Sequence, residues 1–380
     1  MSIFVIAPII FTRWLEANAH ITGKQAPLNQ PFITGLQLSQ LLYTEAVQSL
    51  LAVHFPDLPY SAGLLGAGSE VLGFDTPQST DHDWGPRLLL FLTDTGQQLY
   101  RDSIDQMLRQ ELPAEIHGFE TSFAAADHGG PSHHGVEILT IRRFFNTWLN
   151  YDPTHPPRVV DWLTFPQQIL RTVTAGQVFH DGLGELDRIR ATLHYYPHDI
   201  WLYLMTCQWR RIAQEEAFMG RCSQVGDELG SQLVAARLVR ALMGLCFLLE
   251  RQYAPYIKWF GTAFAHLGCA TELSPILQQV LSAPTWLDRE THLSAAYAFV
   301  ADMHNRLDIT EPQPTQVSSY YNRPFLVIHA DNFADALRAA IRSEEVRALP
   351  AHLGSVDQFV DSTDVLSNPT RFKQLEVMFE

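Results

Sequence analysis

Lysine is almost missing from this chain, with Lys24, Lys258 and Lys373 the only three in 380 residues. Basic side chains number 26 against 41 acidic ones, a formal charge of −15, so the whole chain lacks the basic footprint that attracts a phosphate backbone. A nucleic acid substrate is therefore disfavoured. Cysteine is equally sparse. Cys207, Cys222, Cys246 and Cys269 lie fifteen or more residues apart, which forms no metal-ligand pair and suits buried thiols in a reducing, cytoplasmic setting. An uninterrupted apolar span is lacking too. The run from Met1 to Phe11 contains Pro8 and has no basic residue ahead of it, and residues 233–249 are broken by Arg237 and Arg240, as in a buried bundle helix. No membrane association is expected.

Familiar nucleotide and hydrolase signatures are absent as well. The glycines at 63, 66 and 68 fail the dinucleotide spacing because residue 71 is Val71. There is no Gly-x-x-x-x-Gly-Lys-Ser/Thr loop and no Gly-x-Ser-x-Gly elbow. What the chain does have is apolar content of 46%, enough for two cores.

The pattern along the chain predicts an α+β protein. Helical spacing runs from Phe32 to Val53, a strand and turn from Tyr60 to Gly73, and a strand from Asp81 that pauses at Gly85-Pro86 and resumes from Arg87 to Thr93. A helix over Asp102 to Leu112, a strand over Gly135 to Ile141 and a helix from Arg143 complete a small mixed sheet domain, residues 32–151, after an extension of residues 1–31. The proline-rich Asp152 to Pro157 reads as a linker. Residues 158–310 then carry apolar positions at three-to-four spacing throughout, the pattern of a helical bundle. Residues 311–380 read as a short α/β segment that packs back on the core.

The most informative stretch is Gly68 to Asp83. A Gly-Ser turn, Gly68-Ser69, is followed after eleven residues by Asp81-His82-Asp83. On a strand, Asp81 and Asp83 would leave one face together. Paired carboxylates call for a cation between them, and oxygen-only ligands suit Mg²⁺ with water and substrate phosphate completing its shell. The turn offers backbone N–H groups and a hydroxyl to phosphates. The same residues also suit a polar turn in which the aspartates cap backbone N–H groups.

This layout resembles the signature of the polymerase-β-type nucleotidyltransferase superfamily. The wider wording, from Tyr60-Ser-Ala-Gly-Leu-Leu-Gly-Ala-Gly-Ser through Ser79-Thr-Asp-His-Asp-Trp-Gly-Pro86, resembles the bacterial family DUF4037. His82 stands where the superfamily usually has an apolar residue. The resemblance implies Mg²⁺ or Mn²⁺ held by Asp81 and Asp83, with ATP or another NTP as co-substrate placed by Gly68 and Ser69. It also implies a third carboxylate from a neighbouring strand, as metal ligand or base. Glu137, charged in an otherwise apolar strand, is the first candidate and Asp161 its rival. Lys258, in Tyr253-Ala-Pro-Tyr-Ile-Lys-Trp-Phe-Gly261, would offset charge on departing pyrophosphate, the role lysines of helical C-terminal domains play in such enzymes. The implied activity is NMP transfer, AMP from ATP first, to a hydroxyl of a small molecule or a protein. The alternative is an inactive nucleotide-binding sensor or interaction module. His128, His133 and His134 lack zinc spacing, and His180-Asp181 suits either a substrate hydroxyl or a structural pair.

Overall fold

Four short strands build one sheet in the computed structural model, which describes residues 32–81, 84–123 and 133–379, with Asp81 described in its main chain only. They are β1 (Tyr60–Leu64), β2 (Leu88–Leu92), β3 (Val136–Thr140) and β4 (Gln177–Asp181), in the order β3-β2-β1-β4. β2 and β3 run parallel and the other pairings are antiparallel. β2 reads Leu-Leu-Leu-Phe-Leu and is buried along its whole length, as a strand covered on both faces requires. Leu88, Leu90 and Leu92 join Val136 and Ile138 in a core with Leu38 and Leu42 of helix Gly35–Leu42 and Ile104 and Leu108 of helix Asp94–Glu111. On the other face Phe91 meets Phe144 of helix Ile141–Leu149, ring centroids 5.6 Å apart.

Three elements differ from the sequence expectation. Asp81 ends a 3-10 turn, Pro77–Asp81, instead of opening a strand. Ser79 Oγ accepts from Thr76 N–H at 2.7 Å and Thr80 Oγ1 donates to the Pro77 carbonyl at 2.9 Å, local bonds that compete with a ladder, so pairing begins only at Leu88. Helix Asp94–Glu111 starts eight residues before Asp102, capped by Thr93, whose hydroxyl accepts from Gly96 N–H at 2.9 Å. The third difference is β4, which lies within the part of the sequence that reads as helical. It pairs with β1, where Ser61 Oγ donates to Asp181 Oδ1 at 2.6 Å. Accordingly the described residues form two compact units, one of those up to 156 with 171–194 and one of 157–170 with those from 195 on.

The second unit is helical. Helix His198–Glu215 buries Trp201, Tyr203 and Trp209. Helix Glu228–Leu249 is long and apolar enough to cross a membrane by length and composition alone, yet it packs here against His198–Glu215 and Trp286–Arg306. The C-terminal segment packs back on this unit: Phe333 of helix Asp331–Ala340 stacks on Trp209 at 4.3 Å, and Arg210 pairs with Asp335 at 2.6 Å. With 58% of the described residues helical and one mixed four-stranded sheet among them, the protein is α+β. Cys207, Cys246 and Cys269 are buried and all four cysteines are free thiols.

One buried carboxylate gives this unit a pH dependence. Glu216 accepts N–H bonds from Ile328 at 3.0 Å and Ala330 at 3.3 Å, but burial outweighs them and pushes its carboxyl from the usual 4.5 up to about 7. The folded state holds this proton more tightly than the unfolded chain, so the stability it confers is present below pH 4.5 and is lost as pH rises through 7. Glu216→Gln is expected to raise the unfolding midpoint by a few degrees at pH 8 and to change it little at pH 5. Equal shifts at both pH values in a thermal melt would contradict this.

Candidate active site

The register of the sheet brings distant parts of the sequence together. Gly63 of β1 lies opposite Leu89 of β2, and Leu89 lies beside Glu137 of β3. Residues paired in this way share a face, so the row Gly63, Leu89, Glu137 crosses the sheet on one side, and Arg87, two positions before Leu89, leaves by the same side. β1 feeds the Gly68-Ser69 turn, and β2 is the next strand after Asp81-x-Asp83. Glu137 is exposed between buried Val136 and Ile138, and its side chain makes no hydrogen bond or ion pair with another described residue. Asp83 and the Asp81 side chain lie outside the described residues, as does His128.

The turn is built on a backbone conformation that favours glycine. Gly68 has φ +135°, and a Cβ there would strike the Glu70 carboxylate. Phe74 N–H donates to the Ser69 carbonyl at 2.8 Å and Gly73 N–H to that of Glu70 at 3.3 Å, closing the turn. Glu70 is 3% exposed and ion-paired with Arg87, whose guanidinium also donates to the Ala67 carbonyl at 3.0 Å. Further along, Asp75 Oδ2 accepts from Gly35 N–H at 2.7 Å and Trp84 Nε1 at 3.1 Å. None of these four, Glu70, Asp75, Trp84 or Arg87, is marked by the motif. Their signal in the sequence is charge at Glu70, Asp75 and Arg87 and an indole at Trp84, on either side of the aspartates.

Asp161, the rival third carboxylate, belongs to the second unit and is already engaged. It sits on the short helix Val159–Thr164, 4% exposed. Burial opposes its charge, but hydrogen bonds from Arg158, at 2.7 to 3.0 Å, and from Lys373 prevail and hold its carboxyl below the usual range. Glu376 joins the cluster, 2.8 Å from Arg158. Lys258 stands exposed on helix Ile257–Phe264 of the same unit, its ammonium 5.0 Å from the Trp259 ring centroid.

The described histidines of these segments, His133, His134 and His180, have structural partners. His134 Nδ1 accepts from Val136 N–H at 3.2 Å and its Nε2 lies 3.0 Å from Asp105, while His133 stacks on Phe123 at 5.9 Å. His180 tilts over Tyr60 at 4.6 Å, and Asp181 takes Ser61 Oγ and the Asp187 N–H. Among the described residues no three His, Cys, Asp or Glu side chains are grouped to hold a metal.

At the far end of the sheet, where β2 and β3 finish, a cleft of about 380 Å³ is lined by residues including Thr93, Thr140, Arg142 and Arg188. Thr93 and Thr140 cap the helices that follow them, and Arg142 lies 3.8 Å from both Asp94 and Asp152.

No curated protein matches this chain. Residues 162–260, a span that includes β4 and Lys258 but not the Gly68 to Asp83 motif, match DUF4037, a domain of unknown function.

Proposed function

We propose that the protein is a Mg²⁺-dependent nucleotidyltransferase that moves a nucleoside monophosphate, AMP from ATP in the first instance, to a hydroxyl of a small molecule or a protein. The observation that carries this reading is the row Gly63, Leu89, Glu137, which brings the strand before the Gly68-Ser69 turn, the strand after Asp81-x-Asp83 and a carboxylate unpaired among the described residues side by side. The donor set fits Mg²⁺ or Mn²⁺, being oxygen-only and including in Glu137 an exposed carboxylate without a competing cation among the described residues. Asp81 and Asp83 would hold the ion, with Glu137 completing its shell or serving as base, and the ion when bound neutralises charge on the phosphates.

In this reaction the acceptor oxygen forms a bond to the α-phosphorus and the bridging α–β P–O bond breaks. The acceptor proton passes to a base, for which Glu137 is the candidate, and pyrophosphate leaves with the bond electrons. The Gly68-Ser69 turn aligns the triphosphate for in-line attack, so the protein contributes position and electrostatics. The part of Lys258, as counter-charge to pyrophosphate, rests on the resemblance of its segment. Lys258→Ala is expected to raise the KM for NTP about tenfold, the loss of one charge-assisted contact of about 1.5 kcal/mol, with kcat changed less. An unchanged KM would remove Lys258 from the site.

A nucleotide-binding module without turnover is the second reading, favoured by His82 in place of an apolar residue. Pyrophosphate release from each of the four NTPs with Mg²⁺, over a panel of hydroxyl-bearing small molecules and proteins, separates the two. Release with one acceptor supports transfer, and nucleotide bound without release across the panel supports the module.

A further inference from the structure

We propose that the ion pair between buried Glu70 and half-buried Arg87 positions the Gly68-Ser69 turn against the strand that follows Asp81-x-Asp83. The proposal rests on the nucleotidyltransferase reading for its catalytic consequence, and on packing for the rest. Arg87 is fixed at two ends. Its carbonyl accepts from Ser39 Oγ of helix Gly35–Leu42, and its guanidinium reaches the Ala67 carbonyl and the Glu70 carboxylate. Ala67 and Glu70 bracket Gly68 and Ser69, so one side chain rooted just before β2 grips the turn on both sides.

The Gly68 main chain rests directly on the Glu70 carboxylate, which explains why a Cβ has no room at Gly68. Gly35 is forced in the same way, since a Cβ there would come within 2.7 Å of Glu70 Cβ and 2.8 Å of Trp84 Nε1. The segment between the turn and β2 is held a second time, through Asp75. Its carboxylate joins the Gly35 amide to Trp84, and Trp84 packs edge-on to Phe119 at 5.3 Å. Thus the aspartates lie between an anchored turn before them and the anchored Trp84 and Arg87 after them. A charge pair is suited to this role because it has direction. With the Glu70 carboxylate buried, the pair fixes the turn through directional bonds to the Ala67 carbonyl and the Glu70 side chain.

Arg87 and Glu70 are therefore positioning residues, acting through the turn and not on substrate. In the full chain, Arg87→Met, Arg87→Lys and Glu70→Gln are compared with wild type by hydrogen exchange, nucleotide binding with Mg²⁺, turnover and thermal unfolding. In Arg87→Met the amides of residues 66–74 are expected to exchange at least tenfold faster, while those of helix His198–Glu215 keep their rates. Turnover of the binding-competent fraction, counted by calorimetric stoichiometry, should fall about thirtyfold with nucleotide Kd changed less than threefold. Arg87→Lys should recover most of the loss, since one ammonium can serve both acceptors. Unchanged exchange over residues 66–74 would overturn the proposal, and so would faster exchange with unchanged turnover in an active enzyme. If Arg87→Met does not fold, Glu70→Gln carries the same comparison with the same two deciding outcomes. Absence of nucleotide binding and turnover in the wild type would sink the transferase reading instead, and exchange over residues 66–74 would still decide whether the pair holds the turn.

Discussion

Asp81→Asn and Asp83→Asn will each lower nucleotidyl transfer at least about a thousandfold and leave the unfolding midpoint nearly unchanged. The size follows from the role. A metal at the transferring phosphate stabilises the transition state by several kcal/mol, and about 4 kcal/mol is a thousandfold in rate. The expected silence in stability follows from location. Asp81 ends an irregular 3-10 turn, and the ladder that carries the core of this unit begins at Leu88. Transfer assays and thermal melts on the same preparations check both halves. A variant that keeps its rate, or loses rate only as it unfolds, would return these aspartates to the role of turn caps.

Glu137→Gln and Asp161→Asn should separate cleanly, in opposite directions. Glu137 is exposed on β3 without a partner among the described residues, so neutralising it should lower turnover about a hundredfold or more and leave stability alone. Asp161 should do the reverse. Its carboxylate answers Arg158 and Lys373, and removing one member of a buried cluster leaves charge uncompensated. Because the Arg158 side chain is 59% exposed, the cost is put at about 2 kcal/mol, several degrees in the melt. The carboxyl of Asp161 is held below its usual 3.8, so its stabilisation is full above that pH and fades as pH falls further. The wild type and Asp161→Asn should therefore differ at neutral pH and converge only below 3.8. Turnover lost in Asp161→Asn and kept in Glu137→Gln would exchange their roles.

What could be read from the sequence was what local physics determines. Leu-Leu-Leu-Phe-Leu, short and bounded by Gly85-Pro86, is typical of a strand buried on both faces, the alternation around Glu137 marks β3, and the three-to-four spacing beyond residue 158 marks the bundle. β4 was hidden because Gln-Val-Phe-His-Asp has no period of its own to set against its helical neighbours, and only pairing with β1 makes it a strand. Asp81 departed from the expected strand because Ser79 and Thr80 satisfy nearby backbone groups locally. Within the candidate site, the turn and Glu137 were legible as residue types in a pattern. Glu70, Asp75, Trp84 and Arg87 were not, since their function lies in contacts between residues 9 to 40 positions apart, which a linear motif does not encode.

The most direct test of the central claim is calorimetric binding of ATP, GTP, CTP and UTP, each as a non-hydrolysable α,β analogue, with and without Mg²⁺, to the wild type and to Asp81→Asn/Asp83→Asn. The account predicts binding of at least one analogue that requires Mg²⁺ and is lost in the double variant. Binding that is indifferent to both the ion and the aspartates, or no binding of any of the four, would contradict it.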